Sequence, residues 1–189
     1  MKKYLHLDCE MGGLDLQHSL LTAYFLVTDT DFNKIDELYL RLCPNDGNYF
    51  ISSLAMEKNK IDIIEHDKIA TPYKKAGTIL YEFLQKNGLK EKPIPVGQGI
   101  RGDLRFIWNY LVSRFTWETF VSYRYVDVRS LCIFLQACGK ISPEVTGGLK
   151  SMVEYFGIEP DIPELDWHDA KYDTYMAMRV YQKMLELVK

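Results

Sequence analysis

The sequence predicts an α/β protein with a mixed five-stranded sheet flanked by helices. Three observations predict it. Residues 4–10, 20–27 and 35–42 are β-prone runs separated by short turns, the pattern of an antiparallel meander. Beyond residue 70, short β-prone runs alternate with apolar stripes of helical period, as in layered α/β folds. The 189 residues are 47% apolar and 26% charged, enough for a full core in one domain over residues 1–189.

The first strand, residues 4–10, ends in the turn Gly12-Gly13. Residues 20–27 are almost continuously apolar, which suits a strand covered on both faces. A turn at residues 28–31 leads to the third strand, which stops at Cys43-Pro44-Asn45-Asp46-Gly47. Residues 53–60 fit a short helix, and residues 61–64 are ambiguous. Thr71-Pro72 reads as a helix start, a capping hydroxyl followed by proline at the first helical position. Ala76, Ile79, Leu80, Phe83 and Leu84 form the apolar stripe of that helix, and Gly88 is expected to close it. Residues 93–97 make a fourth strand, followed by a helix with Leu104, Ile107, Tyr110 and Leu111 on one face. Residues 125–128 are the fifth strand, leading into a helix near residues 130–138. Gly147-Gly148 opens a helix over residues 149–156, stopped by Gly157. A last helix runs from about Asp169 to the C-terminus, with Ala170, Ala177, Val180 or Tyr181, Met184 and Val188 as its apolar stripe.

No apolar run approaches the ~20 residues that span a bilayer. Met1-Lys2-Lys3-Tyr4 leads into a strand without a signal-peptide apolar region, so a cytoplasmic location and no membrane partner are expected. Cys9, Cys43, Cys132 and Cys138 show no CxxC spacing and read as reduced thiols. The net charge of −3 argues against a basic face that grips long nucleic acid. It does not exclude an enzyme that handles a strand end, because bound cations supply local positive charge.

Four acids and one histidine carry the chemistry. Asp8 and Glu10 lie two apart on a strand, so they share a face and repel each other unless a cation answers them. A hard divalent ion with oxygen ligands is one remedy, and a wet acidic edge is the other. Asp103 follows Gly97-Gln98-Gly99-Ile100-Arg101-Gly102 at the start of a helix, where the helix dipole alone accounts for an acid. Asp173 lies between Ala170 and Ala177 on the stripe of the last helix, so it points inward. Buried, it must be neutral, hydrogen-bonded to strand backbone, Tyr4 or Tyr24, or metal-bound. His168 precedes that helix and reaches the same locus. Taken together, the set describes two metal ions clamping a phosphodiester, with a histidine whose pKa near neutrality suits a general base. Phe106, Trp108, Trp167 and Tyr172 are candidates to stack on bases, though helical spacing suits them equally to the core.

Asp8-Cys9-Glu10-Met11-Gly12-Gly13-Leu14-Asp15, Gly97-Gln98-Gly99-Ile100-Arg101-Gly102-Asp103-Leu104-Arg105-Phe106-Ile107 and His168-Asp169-Ala170-Lys171-Tyr172-Asp173 resemble, in order, the three exonuclease motifs of the DEDDh family. That family includes oligoribonuclease, ribonuclease T and polymerase proofreading subunits. The resemblance covers nearly the whole chain. The first motif and residues 123–128 are most similar to oligoribonuclease, while residues 148–158 and the last motif are closer to ribonuclease T and the proofreading subunits.

The resemblance implies a ribonuclease H-like fold and a 3′→5′ exonuclease releasing nucleoside 5′-monophosphates by a two-metal mechanism. It implies that Asp8, Glu10 and Asp173 bind two divalent ions, Mg²⁺ or Mn²⁺, that Asp103 completes the site, and that His168 is the general base. Backbone from Met11 through Gly12 to Gly13, with the Leu14 side chain, would hold the 3′-terminal nucleotide. The partners expected are 3′ ends of single-stranded RNA or DNA, with a homodimer and a polymerase as further candidates. Two positions depart from the family. Gly12 stands where a hydroxyl residue is usual, and Gln98-Gly99 replaces a His-Asn or Asn-Ser pair. Two other readings stand beside this one: a non-catalytic ribonuclease H-like module that binds a polymerase or other nucleic-acid-processing partner, and an endonuclease or polynucleotide-binding protein of the ribonuclease H-like class.

Overall fold

The computed structural model describes residues 2–159 and 167–188. Three antiparallel strands come first: β1 (Lys3–Met11), β2 (Leu20–Asp29) and β3 (Lys34–Cys43). Two short helices follow, α1 (Ser53–Asn59) and α2 (Ile63–Asp67), then strand β4 (Thr71–Pro72) and helix α3 (Tyr73–Gly88). Strand β5 (Ile94–Gly97) leads into α4 (Arg101–Tyr110) and α5 (Arg114–Phe120). Strand β6 (Val126–Asp127), α6 (Val128–Ala137), α7 (Leu149–Tyr155) and α8 (Ala170–Glu186) complete the order.

The sheet has six strands among the described residues, ordered β4-β3-β2-β1-β5-β6, with β5 and β6 parallel to β1. Five were expected. The extra strand is Thr71–Pro72, paired parallel to Leu42 and Cys43. Thr71 therefore extends the sheet instead of capping α3, which begins at Tyr73 behind Pro72 with no side-chain cap. Proline is tolerated there because β4 is an edge strand, where the missing N–H breaks no inner ladder. Gly88 is the last residue of α3, as expected, and it has a second role: a Cβ there would sit 2.0 Å from the Phe120 carbonyl oxygen, so its absent side chain lets α3 and α5 touch. Helix α5 was not anticipated, although Ser113 caps it by accepting from Thr116 N and Trp117 and Phe120 bury its inner face. Val188 is 59% exposed and beyond the end of α8, so the apolar stripe stops at Met184.

One core lies between the sheet and α3, α4 and α5, around Leu5, Leu7, Phe25, Leu80 and Trp117. A second fills the other face, where Met176, Val180 and Met184 of α8 pack with Cys132 and Leu135 of α6 and Met152 of α7. The unbroken burial of β2 follows from this double cover.

Candidate active site

Alternation on β1 sends Leu5, Leu7 and Cys9 into the first core and turns Asp8 and Glu10 toward the α8 face. Directly after Glu10 the β1–β2 ladder skips a residue, since Glu10 pairs with Thr22 and Met11 with Leu20. Such a bulge bends a strand and re-aims the residues beyond it. Asp103 sits in the first turn of α4, buried at 5% exposure. The backbone N–H groups of Asp103 itself and of Cys9 favour its charged form against the burial that disfavours it, where α4 meets β1. Asp173 lies in the first turn of α8, half-buried.

These acids meet. Burial, then the charges of Asp103, Asp173, Glu10 and Asp169, push the Asp8 carboxyl well above the usual carboxylate range. Burial raises Asp103, with the Asp127 charge adding to it. Burial, then Asp173, Asp103 and Asp169, pushes Glu10 up to about 9. Carboxylates so close hold protons unless a cation replaces them. His168 completes the group: Glu10, His168 and Asp173 each offer a ligand atom within 4.8 Å of the others. Carboxylate oxygens with one imidazole fit a divalent cation.

His168 is exposed and has φ +70°. A non-glycine residue in that region carries a strain of about 1–2 kcal/mol, which persists where surrounding structure enforces it. Asp169 supplies the enforcement. It caps α8 by accepting from Lys171 N at 2.8 Å and Tyr172 N at 3.3 Å, and it accepts from the Tyr39 hydroxyl at 3.1 Å. Asp169 was missed as a site residue, although an aspartate just before a helix is a visible cap signal.

A cleft of about 350 Å³ opens beside Glu10 and His168, with Met11, Gly13, Leu14, Leu54 and Lys58 among its lining. Leu14 is 91% exposed at its mouth. Gly12 does not line it. Its N–H donates to Ser19 O at 2.8 Å and its C=O accepts from Ser52 N at 2.7 Å, so both backbone groups are committed. A Cβ on Gly12 would lie 2.7 Å from Phe50 O, which is why this position lacks a side chain. Asn59 donates to Met11 O at 3.3 Å and fixes α1 against the end of β1. Of the aromatics, Phe106 and Tyr172 are buried in the two cores, and Trp108 lies under the Arg114 guanidinium. Trp167 packs edge-on against Tyr172 and borders the clefts around His168.

No protein-family model matches the chain, and no curated protein matches it. Solved structures do. A structure of exonuclease I aligns over 98% of this chain at TM-score 0.74 and 18% identity. E. coli exonuclease I with a dT13 oligonucleotide aligns over 98% at TM-score 0.72 and 18% identity. The zinc-bound form of the E. coli exonuclease I–ssDNA complex aligns over 100% at TM-score 0.73 and 18% identity. The chain has the fold of exonuclease I. The expected ribonuclease H-like class therefore holds, with six strands in place of five. The chain spans about two fifths of those proteins, 41% of each. No described helix is long and apolar enough to cross a membrane.

Proposed function

We propose that this chain is a metal-dependent 3′→5′ exonuclease module that hydrolyses single-stranded nucleic acid to nucleoside 5′-monophosphates. The observation that carries the reading is the convergence of Asp8, Glu10, Asp103, Asp173 and His168 beside an apolar cleft. The likeness in fold to exonuclease I, one structure of which holds a dT13 oligonucleotide, supports it.

Asp8, Glu10, Asp103 and Asp173 would hold two divalent ions, Mg²⁺ or Mn²⁺. Such ions, when bound, would stabilise charge on the attacking and leaving oxygens. Met11, Gly13 and Leu14 would seat the terminal nucleotide, with Leu14 against the base, while Gly12 holds the turn to residues 50–52. His168 would accept a proton from the attacking water at its imidazole, and its exposure lets the proton pass to solvent. Tyr39 and Asp169 would keep the imidazole in place.

The test is a panel of 5′-labelled RNA and DNA, short and long, single- and double-stranded, with Mg²⁺ or Mn²⁺. Stepwise shortening from the 3′ end is expected. No metal-dependent shortening of any strand would sink the reading and favour a binding module.

A further inference from the structure

Two more clefts meet the acids at His168 besides the apolar one. The first holds Arg41 and Lys60 against four carboxylates, Glu10, Asp62, Glu65 and Asp169, and that excess repels a phosphodiester. The second is lined by Thr146, Lys150, Ser151, Trp167 and His168, with two carboxylates, Glu154 and the site acid Asp173. Hydroxyls, one exposed lysine and an indole are groups that bind a strand backbone and its bases.

Gln98 holds the wall of this second cleft. Its Nε2 donates to Gly147 O at 2.8 Å, and Gly147 has φ +72° in the turn before α7. The turn is closed by Thr146 N donating to Ser151 Oγ at 3.2 Å and Gly148 N donating to Thr146 Oγ1 at 3.3 Å. Gly99 N donates to Asp127 Oδ1 at 2.9 Å and anchors the other end of the Gln98 segment. The Gln98 Oε1 is buried and finds no donor among the described residues. An orphaned buried amide oxygen is a net cost to folding, so stability does not account for a glutamine here. Its one satisfied bond is the one that shapes the cleft.

We propose that this second cleft binds the phosphodiester backbone on the 5′ side of the scissile bond, and that Gln98 is the residue that positions it. The proposal rests on the exonuclease reading. A strand crossing the acids has its terminal nucleoside in the apolar cleft, and its remaining phosphates then lie along Thr146, Lys150 and Ser151.

The test compares an octanucleotide with an unphosphorylated dinucleotide, whose only phosphate sits at the reacting centre. Gln98→Met fills the same space without hydrogen bonds. It is expected to raise KM for the octamer about tenfold, the value of one lost neutral hydrogen bond, with kcat changing less than KM. The KM ratio of octamer to dinucleotide should rise by the same factor, while the melting temperature stays level or rises. Lys150→Gln, on the surface, is the variant that keeps its fold; it should flatten the slope of log KM against log salt by about 0.7. Equal KM increases for both substrates, or none with a lowered melting temperature, would make Gln98 a structural residue and overturn the proposal while leaving the exonuclease reading standing. An unaltered salt slope in Lys150→Gln would overturn the subsite. A wild-type chain that shortens no strand would overturn both.

Discussion

Withdrawing divalent metal should make the protein lose stability as pH rises from 7 to 9. Glu10 carries the effect. Its carboxyl titrates at about 9 in the fold against 4.5 ordinarily, so between those values the folded chain keeps a proton that the unfolded chain has lost. Stability from that proton is complete below 4.5 and declines as pH rises toward 9. His6 works in the opposite sense at lower pH. Burial depresses it from 6.5 to about 3, so its stabilisation is present above 6.5 and lost as pH falls through about 3. Above pH 7 His6 is constant and Glu10 stands out. At ~1.4 kcal/mol per pH unit, less near pH 9 where Glu10 itself ionises, the loss is about 2 kcal/mol. That lowers the melting temperature by roughly 4–8 °C for a chain of this size. Asp8 and Asp103 are raised in the same direction. Millimolar Mg²⁺ or Mn²⁺ should remove most of the slope, because the ion takes the deprotonated ligands and stabilises the fold that binds it. Thermal melts of wild type and Glu10→Gln, in EDTA and in metal, would measure it. Comparison with Glu10→Gln cancels the cysteines, whose raised thiols bend the curve above pH 8. If wild type in EDTA melted at the same temperature from pH 7 to 9, or if Glu10→Gln kept the wild-type slope, the clustering of negative charge around Glu10 would be refuted.

Asp8→Asn, Glu10→Gln and Asp173→Asn should each cut turnover of a 5′-labelled oligonucleotide by at least about a thousandfold while circular dichroism stays native; a near-normal rate in any of them would break the two-ion assignment. A 3′-blocked or circular strand should resist cleavage, and equal cleavage of it would make the protein an endonuclease. His168→Ala should lower kcat by roughly two to four decades with little change in metal affinity by titration calorimetry, whereas a large affinity loss would make His168 a ligand. His168→Gly should be as inactive as His168→Ala yet melt higher, because glycine takes the φ +70° backbone without strain; equal melting temperatures would show that the strain is relaxed in the native chain.

The sheet was largely legible because its signals are local. Alternation marks β1 and β3, and the continuous apolar run of β2 announces a strand covered on both faces. What escaped depends on contacts distant in sequence. Thr71-Pro72 has the local chemistry of a helix start, and only pairing with Leu42 and Cys43 turns it into a strand. Gly88 does end its helix, but the approach of Phe120, which also demands a glycine there, leaves no local signal. At Thr71-Pro72 tertiary contact overrides a sound local preference.

The site divides along the same line. Period-two spacing placed Asp8 and Glu10 together, and helix phase turned Asp173 inward, so three acids could be assigned a face without any structure. Distance in sequence hid the rest. Asp103 reaches the others because β5 runs parallel beside β1, with Tyr4, Leu5 and His6 opposite Ile94, Pro95 and Val96. That register brings the end of β5 and the start of α4 level with Cys9, whose backbone N–H favours the Asp103 carboxylate. On the other side, Tyr39 of β3 reaches Asp169 across the sheet, in a row that runs Asp8, Tyr24, Tyr39 from strand to strand. Nothing local to Tyr39 marks it. The same row leads to the segment that sets the histidine beside acids that repel one another. Two strands over from the strand that carries Asp8, Tyr39 of β3 is hydrogen-bonded to the cap of the helix that carries Asp173, and His168 stands directly before that cap in a backbone conformation it would not choose alone.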